Sequence, residues 1–416
     1  MVRIIWMFFC LTLTLALPIG GARAQDTAPR LTLDDVVALA VRENRTLRAK
    51  QFEYQATRAG EITAGLRPNP TASYTAEQLG ASRNSDAVPQ HSVIVGQPIE
   101  LAGKRGRRLD SARAAIRVSE WELADVRRQV IAQVKKAFTD VLVARATLAL
   151  AQENLRALDE VERIQRFRAE RGDISELELT RIQVQRFAFE RDAADARQAI
   201  EAAKIMLRAL AAPDTLPADF EVLGDVGFRD QVFKREELYR LTMANRPDVR
   251  AAEAAREKAR ADVNLARANA WADVTPQLEY QRIGNANTVG AGVSMPIRIF
   301  DRNQGEIART RAEVSRSDAL QQASAIQALA EVDNALATVT VSREKVLLLR
   351  DTYLPKAQRV RETVEFAYRR GGVSLLDYLD AQRTYRETAL EHIRTVGAYW
   401  SSVYQLEAAV GGSLQP

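Results

Sequence analysis

Cysteine is almost absent from this sequence, and the single copy, Cys10, lies in an apolar run near the start. Arg3 precedes that run, which extends from Ile4 to Leu17, and the small-residue motif Ala22-Arg23-Ala24 follows it. This pattern is typical of a secretory signal peptide, predicted here as residues 1–24. Because cleavage would remove Cys10, the exported chain would contain no cysteine. Disulfides, thiolate metal sites and cysteine nucleophiles are therefore excluded.

Histidine is nearly as scarce, with two copies in 416 residues. The sequence places His91 in a polar loop and His392 in a helix, where each is expected to be a surface or packing residue. It also lacks a glycine-rich phosphate loop, a His-Glu-x-x-His zinc motif and a nucleophile elbow. We therefore predict that the protein is not an enzyme and has no cofactor and no dedicated metal site.

Long apolar segments are missing as well. The run from Ile4 to Leu17 is too short to anchor the chain across about 30 Å of hydrocarbon, and no run of eighteen apolar residues follows it. An exported protein can still enter a membrane as a barrel of alternating strands. The net charge of +5 is small against 59 basic and 54 acidic residues, which alternate along the helical segments. This balance favours solvated helix faces and argues against nucleic acid as a partner.

An internal repeat with an offset near 200 residues is the most informative feature of the sequence. The matched segments are Asn44-Arg45 with Asn245-Arg246, Pro98–Leu101 with Pro296–Ile299, and Gly172–Glu178 with Gly371–Asp377. Short helical segments precede the first of these pairs, at 33–41 and 236–243. We predict two structural repeats, residues 25–212 and 236–416, joined by a linker over 213–235.

Each repeat contains a very long helix-forming segment. The 65 residues between Gly106 and Gly172 include neither glycine nor proline, and the matching gap in the second repeat has one proline, Pro355. Both segments are rich in strong helix formers, and apolar residues recur in them at helical spacing. At about 1.5 Å per residue, such a helix reaches roughly 100 Å. That length exceeds the diameter of a compact domain.

Glycines end both long segments, and a helical pattern resumes after each of them. We predict antiparallel helical hairpins at about 104–211 and about 304–411, with Gly172 and Gly371 as the breakers at their tips. One apolar stripe on so long a helix cannot be buried inside a single globule. Hairpins of this length are expected to pack as coiled coils or as a helical barrel.

A strand pair precedes each helical hairpin. The predicted strands are 70–79 and 92–99 around a polar loop at 80–90, and 276–283 and 288–297 around a loop at 284–287. These β-hairpins, at about 70–99 and about 276–297, have the length of tilted strands that cross a bilayer. Ordinary soluble hairpins remain the alternative. Four strands cannot close a barrel and open sheet edges cannot face lipid, so membrane insertion would require several subunits to share one barrel.

With these features the chain resembles the TolC-like outer-membrane efflux factors, and among them the CzcC-type branch for heavy-metal cations. The resemblance rests on Gln97–Gly106, on Leu31–Asp35 with Asn44, and on Gly371–Asp380. It implies a mainly α fold with a small membrane β part, in which three protomers share a twelve-stranded β-barrel that continues into an α-helical barrel. It also implies a location in the outer membrane, in contact with its lipid and extending into the periplasm, and two partners, a periplasmic adaptor and an inner-membrane pump of the resistance-nodulation-division type.

The same resemblance implies roles for residues at the hairpin tips. Asp377 and Asp380 match two acids that ring the closed periplasmic aperture, and Glu178 occupies the equivalent position of the first repeat. In a trimer the two aspartates would give six carboxylates that attract cations. The spacing of Asp377 after Ser374 is equally typical of a helix cap.

A latch that closes the aperture is the second implied role. Tyr368 matches the latch tyrosine of the family, whereas Val373 stands where the family has its latch arginine. Arg369 and Arg370 are the possible substitutes. The expected function is a passive exit duct for divalent heavy-metal cations. Organic toxicants or secreted substrates are alternative cargoes, and a periplasmic adaptor is the alternative class of protein.

Overall fold

The computed structural model of the protein describes residues 29–79 and 88–414. The predicted signal peptide and residues 80–87 of the predicted polar loop lie outside the described residues. In the first half the elements are β1 (Arg30–Leu31), α1 (Leu33–Glu43), α2 (Arg45–Gly65), β2 (Thr71–Glu77), β3 (Gln90–Gly96), α3 (Lys104–Glu170), α4 (Glu176–Ala211) and β4 (Glu221–Val222).

The second half follows the same plan. Its elements are α5 (Arg235–Asn245), α6 (Pro247–Asn269), β5 (Thr275–Ile283), β6 (Ala286–Ser294), α7 (Gln304–Leu348), a π-helical turn (Leu349–Tyr353), α8 (Leu354–Arg369) and α9 (Leu375–Val410). The predicted mainly α fold is confirmed. In the described residues, no helix is both long enough and apolar enough to span a membrane.

The first long helix, α3, has 67 residues, which corresponds to about 100 Å at 1.5 Å per residue. It packs antiparallel on α4, and it also packs against α9. In the second repeat Pro355 does not break the helix. The chain accommodates the missing N–H group through the π-helical turn just before it, so α7 and α8 form one nearly continuous rod.

Two equivalent apolar clusters lie where the short helices cover the long hairpins. In the first repeat α1 and the segment after α4 pack on α3, with Val36, Val134 and Phe220 fully buried. In the second repeat α5 packs on α7 and α9, and Val332 and Tyr399 are buried there. The segment predicted as a linker, 213–235, is therefore packed along part of its length.

The four strands β2, β3, β5 and β6 form one antiparallel sheet in that order. Both β-hairpins thus join edge to edge through the β3–β5 pair, and β2 and β6 are the outer strands. The strand boundaries differ from the prediction by up to three residues. β3 covers Gln90–Gly96, two or three residues earlier than expected, and β6 starts at Ala286 after a two-residue turn. Placing His91 in a loop was therefore wrong, because His91 pairs with Ala76 and Arg282 within the sheet.

Candidate functional site: hairpin tips and strand sheet

Both hairpins turn at a glycine with the same backbone geometry. Gly172 and Gly371 each have φ of 76°, a left-handed conformation that costs glycine little and other residues more. The predicted breakers therefore lie at the tips. The two tips are related by the shift of 199 residues that the sequence repeat predicts.

The acid Asp377 belongs to a complete capping box. Its carboxylate accepts hydrogen bonds from the Ser374 backbone N–H at 3.0 Å and from the Ser374 hydroxyl at 2.6 Å, while the Ser374 hydroxyl accepts from the Asp377 N–H at 3.2 Å. The hydrogen bonds from Ser374 hold the pKa of Asp377 below its ordinary value. Asp377 is therefore an exposed, ionised group fixed in position at the first turn of α9.

The other two predicted aperture acids have looser surroundings. Asp380 is exposed one turn further along α9 and accepts a hydrogen bond from Arg383 at 2.7 Å. Glu178 lies at the equivalent place on α4, where the Ser175 hydroxyl accepts from its backbone N–H at 3.3 Å. At the first tip the serine hydroxyl accepts one backbone N–H bond, whereas at the second tip the serine and the acid bond each other reciprocally. All three acids lie at the tip end of the hairpins.

An aromatic pair joins α8 to α9 just behind the tip. The rings of Tyr368 and Tyr378 stack with centroids 5.0 Å apart, and the Tyr378 hydroxyl accepts a hydrogen bond from Gln382 at 2.9 Å. Burial, and secondarily the Glu178 carboxylate, raise the pKa of Tyr368 to about 12. Burial also raises the pKa of Tyr378 to about 12. Both phenols therefore remain neutral at physiological pH.

These tyrosines belong to a cluster shared by the two hairpins. Leu158, Val161, Ile182 and Phe189 of the first hairpin pack with Tyr368, Leu375 and Tyr378 of the second. Val373, which stands at the family's latch-arginine position, packs against the edge of this cluster. Apolar contact therefore joins the tips at the place where the family resemblance implies a charged latch.

The two candidate substitute arginines have other partners. Arg369 pairs with Glu365 at 2.6 Å, and the Arg370 guanidinium lies over the Phe366 ring at 4.1 Å. A polar link between the tips comes from a residue that the sequence did not indicate. Arg168, at the end of α3, donates a hydrogen bond to the Arg369 carbonyl at 3.3 Å. No sequence signal identified Arg168, because the link depends on how the two hairpins meet.

The strand sheet presents two chemically different faces. Cross-strand register places Leu278 beside Val95 and Ala291, whereas Glu279 lies beside Ile94 and Gly290. We call the first set the apolar face; it consists of Ala72, Tyr74, Ala76, His91, Val93, Val95, Pro276, Leu278, Tyr280, Arg282, Asn287, Val289, Ala291 and Val293. The opposite set, the polar face, consists of Thr71, Ser73, Thr75, Glu77, Gln90, Ser92, Ile94, Gly96, Thr275, Gln277, Glu279, Gln281, Ile283, Ala286, Thr288, Gly290, Gly292 and Ser294.

Acids and bases are not shared equally between these faces. The polar face carries two carboxylates, Glu77 and Glu279, and within the described strands it carries no base. The period-two pattern of the strands contains the signal for both residues, whereas the aperture motif indicates only the acids at the tips. No group of three or more His, Cys, Asp or Glu side chains suited to a metal ion occurs in the described part of the chain.

A sheet with one apolar and one polar face, joined to two helical hairpins of this length, defines a protomer of an outer-membrane channel. The sequence model described as "Outer membrane efflux protein" matches residues 36–212 and 238–412, and the chain belongs to that family. The protein is a passive component of an outer-membrane efflux channel and not an enzyme. It is located in the outer membrane and extends into the periplasm.

The similar proteins support this assignment. The cobalt-zinc-cadmium resistance protein CzcC of Cupriavidus metallidurans is 27% identical over 93% of this chain and 91% of its own length. The pyoverdine export outer membrane protein OpmQ of Pseudomonas putida is 24% identical over 92% of this chain and 86% of its own. The structure of the outer-membrane channel OprN superposes with a TM-score of 0.76 at 20% identity, covering 92% of this chain and 91% of the other.

The caps at the two tips allow a matched test. Replacing Ser374 by Ala removes a full capping box, whereas Ser175→Ala removes a single hydrogen bond. We expect amide hydrogen exchange at residues 374–380 to accelerate about fivefold in Ser374→Ala, from the usual cost of losing an N-cap. In Ser175→Ala, amide hydrogen exchange at residues 175–181 should accelerate by a smaller factor. Equal responses at the two tips would contradict the asymmetry.

Proposed function

We propose that three copies of this chain form the exit duct of a tripartite efflux assembly whose cargo is divalent heavy-metal cations. The outer strands β2 and β6 would pair between neighbouring protomers, so that twelve strands close one barrel. The apolar face would contact outer-membrane lipid, and the polar face would line a water-filled lumen. A periplasmic adaptor and an inner-membrane pump of the resistance-nodulation-division type would supply cargo and energy.

The distribution of charge along the proposed duct supports a cationic cargo. Glu77 and Glu279 are acids on a polar face that has no base in the described strands, and Asp377 and Asp380 lie at the opposite, periplasmic end. Three copies of each would make both ends of the passage negative. Such rings concentrate cations and repel anions in a narrow aqueous pore. The similarity to CzcC, a cobalt-zinc-cadmium resistance protein, supports the same substrate class.

An organic cargo is the second candidate. The similarity to OpmQ, a pyoverdine export protein, favours it. An acidic lumen would oppose the passage of an anionic organic molecule more than that of a cation. Cation efflux is therefore the function that the described residues support better.

The tip acids are proposed to ring the periplasmic aperture, with Glu178 contributing from the first hairpin. The double variant Asp377→Asn/Asp380→Asn should weaken block of single-channel current by a trivalent cation about tenfold or more, because six carboxylates would lose their charge. Asp140→Asn is the matched control, since Asp140 pairs with Lys136 far from the tips. Planar-bilayer recordings measure the block of current in the double variant and in the control. Unchanged block in the double variant would remove these residues from the aperture.

Cargo is tested in cells. Deleting the gene should lower tolerance to cobalt, zinc or cadmium, and the wild-type gene should restore it. A Glu77→Gln/Glu279→Gln variant that reaches the outer membrane in normal amount should restore tolerance only partly, because its lumen attracts cations less strongly. Full metal tolerance in the deletion strain, combined with lost tolerance to organic toxicants, would assign the duct to the second candidate.

A further inference from the structure

One row of the apolar face differs from the rest. The register aligns Ala76, His91, Arg282 and Asn287 across the four strands, at the end of the sheet remote from the helices. The rows nearer the helices consist of alanine, valine, leucine, tyrosine and proline. Two side chains that carry or can carry positive charge, on neighbouring strands, therefore interrupt an otherwise apolar surface. We call this row the distal row.

Tyrosines lie in the row next to the distal row, an arrangement typical of a membrane boundary. Tyr74 shares a hydrogen bond of 2.8 Å with Nδ1 of His91, and the Tyr280 hydroxyl donates to Oδ1 of Asn287 at 2.9 Å. Both rings remain substantially exposed, Tyr74 at 66% and Tyr280 at 45%. Outward tyrosines with apolar rings on one side and hydroxyls aimed at polar groups on the other are typical of the interfacial girdle of a membrane barrel.

Within the described residues, the Arg282 guanidinium makes a single hydrogen bond. Its Nε donates to the Gly284 carbonyl at 3.1 Å, and none of the described carboxylates pairs with its guanidinium. The two acids of the sheet, Glu77 and Glu279, belong to the opposite face and cannot neutralise it. In the part of the chain that the structure describes, the terminal nitrogens of Arg282 have no hydrogen-bond partner, and this exposed side chain lies beside His91. A planar, exposed guanidinium without a carboxylate partner is suited to bind two oxygens of one phosphate.

We propose that Arg282, with His91 beside it, binds the phosphate of a phosphorylated lipid headgroup in the outer leaflet. The inference rests on the proposed function, because it requires the apolar face to contact lipid. Acyl chains would lie along Tyr280 and Leu278, and the phosphate would meet the guanidinium at the headgroup level. Each trimer would carry three equivalent lipid sites around its distal rim.

The test uses the purified trimer in detergent with diphosphorylated lipid A as the probe, and native mass spectrometry to count bound lipids. Wild type should bind this lipid at least about tenfold more tightly than lipid A from which the phosphates have been removed. Arg282→Gln should abolish that preference. Arg282→Lys should retain part of it, because a lysine keeps the charge and loses the two-pronged geometry. Inorganic phosphate at equal concentration should displace little lipid.

Glu77→Gln is the matched control, since Glu77 lies at the same distal end of the sheet on the opposite face. It should bind lipid A as wild type does. Retention of the phosphate preference in Arg282→Gln trimers, or complete displacement by inorganic phosphate, would overturn the lipid site while leaving the proposed channel intact. Absence of a membrane-inserted trimer in the wild-type protein would instead overturn the proposed function, and this inference with it.

Discussion

The strict alternation of the four strands is the constraint on which the structure depends. Leu278 and Tyr280 point to one side of the sheet and Glu279 and Gln281 to the other, so a single sheet has to satisfy an apolar and an aqueous environment at once. Four strands leave two open edges, which lipid does not tolerate. The proposed closure by identical neighbours would meet both demands, and it would place the long helices below the sheet in one common wall around the passage.

Long elements were predictable because their signals are redundant. The helix between Gly106 and Gly172 is uninterrupted in composition, and glycine supplies the left-handed turn at its end. In contrast, α2 and α6 were missed. α2 buries only Leu47 along its 21 residues, so its sequence has no apolar stripe from which the helix could be predicted. The π-helical turn before Pro355 was also not predicted. The sequence shows that proline removes one backbone hydrogen bond, but it does not show how the backbone adjusts to that loss.

The candidate site likewise combines features that local sequence patterns predict with features that they do not. The Ser374 cap on Asp377 follows from a spacing of three residues, and the sequence indicated it. The stack of Tyr368 on Tyr378 and the bond from Arg168 to the Arg369 carbonyl require that separate helices meet in one register. Local patterns do not contain that information. At the tips, apolar and aromatic packing joins the two hairpins, and Val373 takes part in that packing.

Accessibility of two adjacent strand positions tests the central claim most directly. Cys10 is the sole native cysteine and lies in the predicted signal peptide, so Tyr280→Cys and Gln281→Cys each introduce one reporter thiol. In outer-membrane vesicles the account predicts that a small water-soluble maleimide labels position 281, and that a lipid-soluble reagent labels position 280. Equal labelling of both positions by the water-soluble reagent would contradict it, because the apolar face would then lie in water.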